Sequence, residues 1–193
     1  MRTLLFCLFF FFCSYSSAQV KIQNNEPGFL QRQLEQDSCF FKKIQGQSDW
    51  QIKGYLAKED IHYIAALARQ YKLQRIDLSK TQFREIGFGL FENCDSLHCI
   101  MLPPTVRTIA KNAFKNCGSL SEIELPKSLT SIGSDAFLDC KSLKKVTINK
   151  NLSWIGTNAF SGCPIKWTKI KGKNNDFFVK DNHLYAKNRN RIY

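Results

Sequence analysis

The 193-residue sequence contains no G-x-S-x-G, H-E-x-x-H, phosphate-loop or dinucleotide-binding glycine pattern. Histidine occurs only at His62, His98 and His183, in a predicted helix, strand and hairpin respectively. Cys99 follows His98 directly, but adjacent strand residues point to opposite faces and do not share a proton easily. No repeated inward pair of carboxylates appears. These absences argue against an enzyme. Acidic residues are scarce at one end: residues 141–193 hold 12 basic and 2 acidic residues, against 16 and 14 in residues 1–140. The formal net charge of +12 is therefore a property of the C-terminal segment, and it does not by itself argue for nucleic acid. Methionine is rare at 2, whereas phenylalanine is abundant at 16, and hydrophobics at 44% suffice for a folded core.

No apolar run is long enough to span a bilayer. The longest, the ten residues from Leu4 to Cys13, follows Arg2 and precedes Ser16 and Ala18, small residues at the −3 and −1 positions of a cleavage site. This is the pattern of a secretory signal peptide over 1–18, cleaved after Ala18. Acylation at Cys13 is the alternative, with bulky Phe10, Phe11 and Phe12 against it. The mature chain is expected to be secreted or held at the cell surface.

What the chain has in abundance is a ruler. Cys94, Cys117, Cys140 and Cys163 are 23 residues apart, and so are Phe91, Phe114, Phe137 and Phe160. Ile86, Ile109, Ile132 and Ile155 keep the same step. So do Leu97, Leu120 and Leu143; Ile100, Ile123 and Val146; and Leu102, Leu125 and Ile148. One unit reads IAKNAFKNCGSLSEIELPKSLTS. Its SLSEIEL piece alternates like a short strand with Ile123 and Leu125 inward, and Pro103 and Pro126 end such strands by removing a donor. Asn112, Asp135 and Asn158 precede the Ala-Phe pairs as N-caps of one helical turn. A unit this small cannot bury its own apolar face, but stacked units can, in a parallel sheet. The period lies in the leucine-rich-repeat range. The expected fold is thus α/β: a leucine-rich-repeat solenoid of 23-residue repeats, with a parallel sheet on the concave face and short helical turns opposite.

The pattern I-G-x-x-A-F-x-x-C-x-S-L-x-x-I-x-L-P, strongest from Ile86 to Cys163, resembles the BspA-like leucine-rich-repeat family. That resemblance implies a secreted or surface protein, of the kind abundant in Bacteroidetes, that serves adhesion or host-protein binding without catalysis or cofactor. Earlier strands are expected at Trp50 to Gly54 and, one residue out of step, at Leu73 to Leu78. An amphipathic helix is expected over Lys58 to Tyr71, and a capping helix over Gly28 to Glu35. Beyond the shortened unit at Cys163-Pro164-Ile165, FFVKDNHLYAKNRNRIY resembles the family's F-x-V-x-D-G-x-L-Y hairpin, with Asn182 where glycine is usual. The hairpin is either a cap or the sign of a shortened product. The expected divisions are 1–18 (signal peptide), 19–72 (cap and irregular first repeat), 73–170 (repeats) and 171–193 (basic β-hairpin segment).

Export permits disulfides, and stacked column cysteines would lie about 5 Å apart, within bridging reach. The column reads either as a buried ladder of thiols or as bridged neighbours such as Cys94 with Cys117. Cys94 and Cys99 have no second pair at zinc-ligand spacing, so no metal site is expected. Asn151-Leu152-Ser153 is a glycosylation sequon or a plain turn.

Two surfaces are candidates for binding. Alternation along the strands turns Arg75, Asp77, Cys99 and Met101 toward the concave face, followed by Glu122, Glu124, Lys145 and Thr147, then Trp167 and Lys169. This mixed row suits a protein partner. The basic end gathers Lys171, Lys173, Lys180, Lys187, Arg189 and Arg191 near Trp167, Phe177, Phe178 and Tyr185, a composition that suits acidic glycans. Nucleic acid is not expected of an exported chain. The reading of a protein-binding module competes with that of an accessory component of a cell-envelope assembly.

Overall fold

The computed structural model describes residues 19–24, 28, 30, 32, 46–167, 170–187 and 191–192. The leader with Cys13, Cys39, most of the expected capping helix, Lys169, Arg189 and the side chain of Arg191 lie outside the described residues. In chain order the elements are β1 (Gln19–Asn24), β2 (Asp49–Tyr55), α1 (Lys58–Gln70), β3 (Arg75–Gln82), β4 (Glu85–Ile86), β5 (Cys99–Met101), β6 (Thr108–Ile109) and β7 (Glu122–Ile123). They continue with β8 (Ser131–Ile132), β9 (Lys145–Val146), β10 (Ile148–Asn149), β11 (Trp154–Ile155), β12 (Ile170–Lys171), β13 (Phe177–Lys180), β14 (His183–Ala186) and β15 (Arg191–Ile192).

The main sheet is parallel, in the order β1-β2-β3-β5-β7-β9. Its register runs Arg75↔Cys99↔Glu122↔Lys145, so the first step is one residue longer than the next two. At the far end Ile148 pairs with Ile170, one residue shorter than the repeat, because the last unit is cut short at Cys163-Pro164-Ile165. A second parallel sheet, β4-β6-β8-β11, carries the Ile86, Ile109, Ile132 and Ile155 column. Strands of two residues contain no alternation, so the sequence marked this column as buried without marking it as a sheet.

Between the sheets the apolar columns meet. Phe91, Phe114, Phe137 and Phe160 stack with centroids 5.4, 5.2 and 5.2 Å apart and planes within 6° of parallel. This spacing falls in the offset-stacked range favoured by the ring quadrupole. Backbone rungs run beside the rings: Phe91, Phe114 and Phe137 each donate N–H to the alanine carbonyl of the next repeat at 2.8 Å. The cysteine column continues the packing. All five described cysteines are free, and the thiols of Cys117, Cys140 and Cys163 donate to the carbonyls of Phe91, Phe114 and Phe137 at 3.0–3.1 Å. Burial pushes the Cys94 thiol up to about 11 and drives Cys117 higher still. A hydrogen bond to Cys163, together with burial, does the same to Cys140.

The wall carrying the Ala-Phe pairs differs from expectation. Asn112, Asp135 and Asn158 are not N-caps, which take extended backbone; their φ values are 59°, 56° and 53°, in the left-handed region. Gly89 occupies the same column at 56°. A second left-handed column follows four residues on, at Asn93, Asn116, Asp139 and Gly162, with φ of 60°, 60°, 59° and 77°. Glycine, asparagine and aspartate are the residues that reach this conformation at least cost. Each repeat therefore makes two left-handed bends around its phenylalanine, joined by i to i+3 turns such as Lys115 N–H to Asn112 O at 3.1 Å rather than by a helical turn.

The amphipathic segment near the start is the one long helix among the described residues, α1, and it buries Ile61, Ile64, Ala65, Leu67 and Ala68. Fully buried Asp60 ties the N-terminal region to it. Its carboxylate accepts from the backbone N–H groups of Ala57 (3.0 Å), Gly28 (3.0 Å) and Leu30 (3.3 Å), and from Asn24 Nδ2 (3.2 Å). A buried carboxylate is tolerated only with such saturation.

Three outcomes test this packing. Replacing Phe137→Ala opens a gap inside the ring stack and is expected to cost about 3–5 kcal/mol in denaturant unfolding. Gly156→Ala is expected to cost roughly 1–3 kcal/mol, because a Cβ there would lie 2.3 Å from Ser134 N and 2.6 Å from Gly133 C, backbone atoms that cannot step aside. Iodoacetamide on the native protein, read by mass spectrometry, should modify half-buried Cys99 and Cys163 first and leave Cys94, Cys117 and Cys140 untouched until unfolding; equal rates at all five would refute the thiol ladder.

Candidate binding surfaces

The outer face of the main sheet holds most of the row expected from strand alternation. Arg75 is exposed, with Nε 3.7 Å from the Asp49 carboxylate. Cys99 is half-buried and its thiol is pushed up, chiefly by that burial. Met101 is 41% exposed, a large apolar side chain in open solvent. Glu122 and Lys145 approach to 4.0 Å, and Glu124 and Lys171 to 3.7 Å, so an acid in one repeat faces a base in another. Such exposed pairs contribute about 0–1 kcal/mol each, and their main effect is to favour one register. Thr147 is half-buried beside them.

Two members of the row are elsewhere. Asp77 is 7% exposed. Its carboxylate bends back to accept from Gln51 Nε2 at 2.6 Å and from Ser79 N–H at 2.9 Å. Burial alone would raise this carboxyl, but the bonds from Ser79 and Gln51 outweigh it and hold the group below the usual range. Trp167 is 4% exposed and meets Phe160 edge-on, with centroids 5.3 Å apart. The ring stack would otherwise end on a bare face of Phe160, and the shortened last unit brings Trp167 across it.

At one margin of this face lies a groove of about 660 Å³. Met101, Leu102, Leu125 and Pro126 form its apolar lining, and Glu124, Lys127, Lys150 and Lys171 its charged rim. Buried Asn149 shapes the wall: its Nδ2 donates to Pro126 O at 2.7 Å, while its Oδ1 accepts from Asn151 and Leu152 N–H at 2.8 and 3.0 Å. Asn174 repeats the arrangement, bonding to the carbonyls of Asn149 and Leu152 at 3.1 and 2.9 Å. The sequence reading missed this asparagine ladder, although Pro103, Pro126 and Asn149 keep the 23-residue step. A second groove, of about 680 Å³, lies by α1 between Leu56, Ile61, Phe83 and Leu90, with Phe88 68% exposed at its edge.

The basic end is less uniform than its composition suggests. Lys173 and Lys180 are exposed, but Lys171 pairs with Glu124, and Lys187 Nζ donates to Asn174 O at 2.8 Å. Of the four aromatics expected among these bases, Trp167 and Phe177 belong to the core; Phe178 and Tyr185 face outward. His98 and His183 each bond a backbone carbonyl two residues back, at 2.8 and 2.7 Å. Among the described residues no group of three or more His, Cys, Asp or Glu is placed to hold a metal ion, and no helix is long and apolar enough to cross a membrane.

Comparison with known proteins places this architecture. No curated protein matches the chain. Several solved structures resemble it. A T. pallidum leucine-rich-repeat protein is 40% identical over 45% of this chain and 40% of its own, with a TM-score of 0.43. A Bacteroides ovatus leucine-rich-repeat protein is 24% identical over 79% and 30%, with a TM-score of 0.46. A leucine-rich cell-surface protein of Faecalibacterium prausnitzii is 22% identical over 76% and 45%, with a TM-score of 0.48. The chain thus spans less than half the length of each. Six copies of the BspA type leucine rich repeat region match residues 65–188, most of the chain and beyond the Ile86 to Cys163 stretch where the motif is strongest, so this protein belongs to the BspA-type leucine-rich-repeat family.

Proposed function

We propose that the chain is an exported protein-binding module that engages a partner protein through the outer face of the main sheet, in surface adhesion or host-protein capture. Leucine-rich-repeat modules generally mediate protein interactions, and solenoids present extended faces for them. The observation that carries the reading is the groove. It joins an exposed methionine and a leucine-proline floor to a rim of both charge signs, the apolar centre and polar margin from which protein interfaces are built. Methionine adapts its shape to the partner it meets. Export rests on the leader over 1–18, and no catalytic role is assigned. The proposed division keeps 19–72 as cap and irregular first repeat, 73–170 as the repeats that bear the face, and 171–193 as the basic hairpin segment.

The test is capture of host surface and matrix proteins by the mature chain, compared with a Met101→Asp/Glu124→Lys variant. A partner bound by the wild type is expected to lose roughly tenfold or more in affinity for the variant, as for a central contact, while thermal unfolding stays within a few degrees of the wild type. Equal binding by both proteins would overturn the face. Co-purification with the producing cell's own envelope proteins, in place of host proteins, would assign the module to an envelope assembly.

A further inference from the structure

We propose a second, separate binding site on the outer face of the C-terminal hairpin, for an anionic polysaccharide carrying repeated carboxylate or sulfate groups. The hairpin is two-faced by register. β13 and β14 pair antiparallel with Phe178 opposite Tyr185 and Lys180 opposite His183. A two-residue turn joins them at Asp181 and Asn182, whose φ values are 47° and 61°. Alternation sends Phe177, Leu184 and Ala186 into the core, with Val179 packed against it. Phe178, Lys180, His183 and Tyr185 are left on the other side.

That side is aromatic and basic together. The Phe178 and Tyr185 rings stack at 5.1 Å and 11°, and His183 lies 6.4 Å from Tyr185, edge-on. Phe178 is 39% exposed, and Lys180 and His183 are exposed. The hairpin already packs onto the last repeat through its inner face, so the outer ring pair serves no burial. Stacked rings point their edges outward, and the edges carry the positive part of the ring quadrupole. An anion is therefore complemented twice, by those edges and by the Lys180 ammonium. Charge complementarity extends beyond the hairpin, since residues 141–193 contain only two acids. Of these, Asp176 is half-buried and Asp181 lies exposed in the hairpin turn beside Lys180, so the positive excess belongs to the segment as a whole rather than to the turn. Lys173 and Lys180 have no ion-pair partner among the described residues.

The form of the site selects the ligand. A lysine ammonium is a point charge without the bidentate fork of arginine, so it offers no geometric grip on a compact anion such as free phosphate. A polymer with spaced anions matches spaced cations, and the CH-rich rings of a sugar chain suit the exposed aromatic pair. A single strand would need successive ring platforms along its length, and here the two rings stack on each other as one.

The experiment is affinity chromatography of the mature chain on heparin and on polygalacturonate, with binding of single-stranded DNA and of phosphatidylserine vesicles measured alongside. Retention on at least one polysaccharide at about 150 mM salt, falling steeply as salt rises, is the expected result. Lys180→Glu and Phe178→Ser should each weaken polysaccharide binding by roughly fivefold or more. Lys111→Glu, an equal charge change on exposed turn-wall residue 111, should leave it within about twofold. Thermal unfolding identifies a misfolded Phe178→Ser, in which case Lys180→Glu decides. Equal losses in the two charge variants would show general basicity and overturn the site, as would no retention on either polysaccharide. Tighter binding to DNA or vesicles than to both polysaccharides would also overturn it.

Discussion

A repeat of this chain has an inside only because another repeat lies against it. Phe114 illustrates the dependence: its ring faces are covered by Phe91 and Phe137, its N–H is taken by Ala136, and its carbonyl receives the Cys140 thiol. Every one of those partners belongs to a neighbouring unit. Stability in such an array is a sum of nearest-neighbour terms, so an error in one unit is felt by the two beside it rather than averaged over a common core. The 23-residue step follows from this constraint. A unit one residue longer or shorter brings the wrong atoms against the rings, and the chain allows it only at the two ends of the regular stack, between β3 and β5 and again between β10 and β12.

The same constraint also chooses residues for their backbone conformation. Two positions per unit must bend left-handed to carry the backbone around the phenylalanine, and they are filled by Gly, Asn or Asp in every complete unit. Gly133 and Gly156 lie where successive backbones touch, so even a methyl group has no room. Stacking thus fixes glycine at 133 and 156, although the same column holds Ala110 and an unhindered Gly87 in the earlier units. The sheet's outer face is free of these demands, and there Met101, Glu122, Glu124 and Lys145 differ from one unit to the next.

The sequence carried the stacked architecture openly, because identical spacing over several columns has no cheaper explanation. It also marked the helix over Lys58 to Tyr71, where a period of 3.6 persists for more than three turns. What it hid has physical reasons. The second sheet was invisible because two-residue strands have no period. Asparagine and aspartate favour both N-caps and left-handed bends, so residue type alone did not distinguish the roles of Asn112 and Asp135. Alternation turned Asp77 toward solvent, but a carboxylate that finds two N–H donors close by folds back to meet them. Trp167 obeyed the parity of its strand only while the unit was assumed complete. Once the unit is short, the uncovered ring of Phe160 decides where the indole goes.

That last displacement also separates the two surfaces. Had Trp167 stayed outward, the aromatic and basic character of the C-terminal segment would have run without a break into the main sheet's face, as one composite patch. With the indole and Phe177 drawn into the core, Phe178 and Tyr185 are the aromatic side chains left facing outward on the hairpin among the described residues, while Lys171 turns back to Glu124 on the groove rim. The groove's rim thus carries both charge signs, whereas the hairpin, with Lys180 beside Asp181 at its turn, takes its positive character from the base-rich segment around it. A mixed rim discriminates among protein surfaces by the pattern of its charges, because each wrong juxtaposition is penalised. A base-rich segment draws anionic partners by its field, and the aromatic pair on the hairpin narrows which of them are held. The two proposed sites therefore suit different tasks: contact with a protein surface at the sheet, and retention on an anionic polysaccharide at the hairpin.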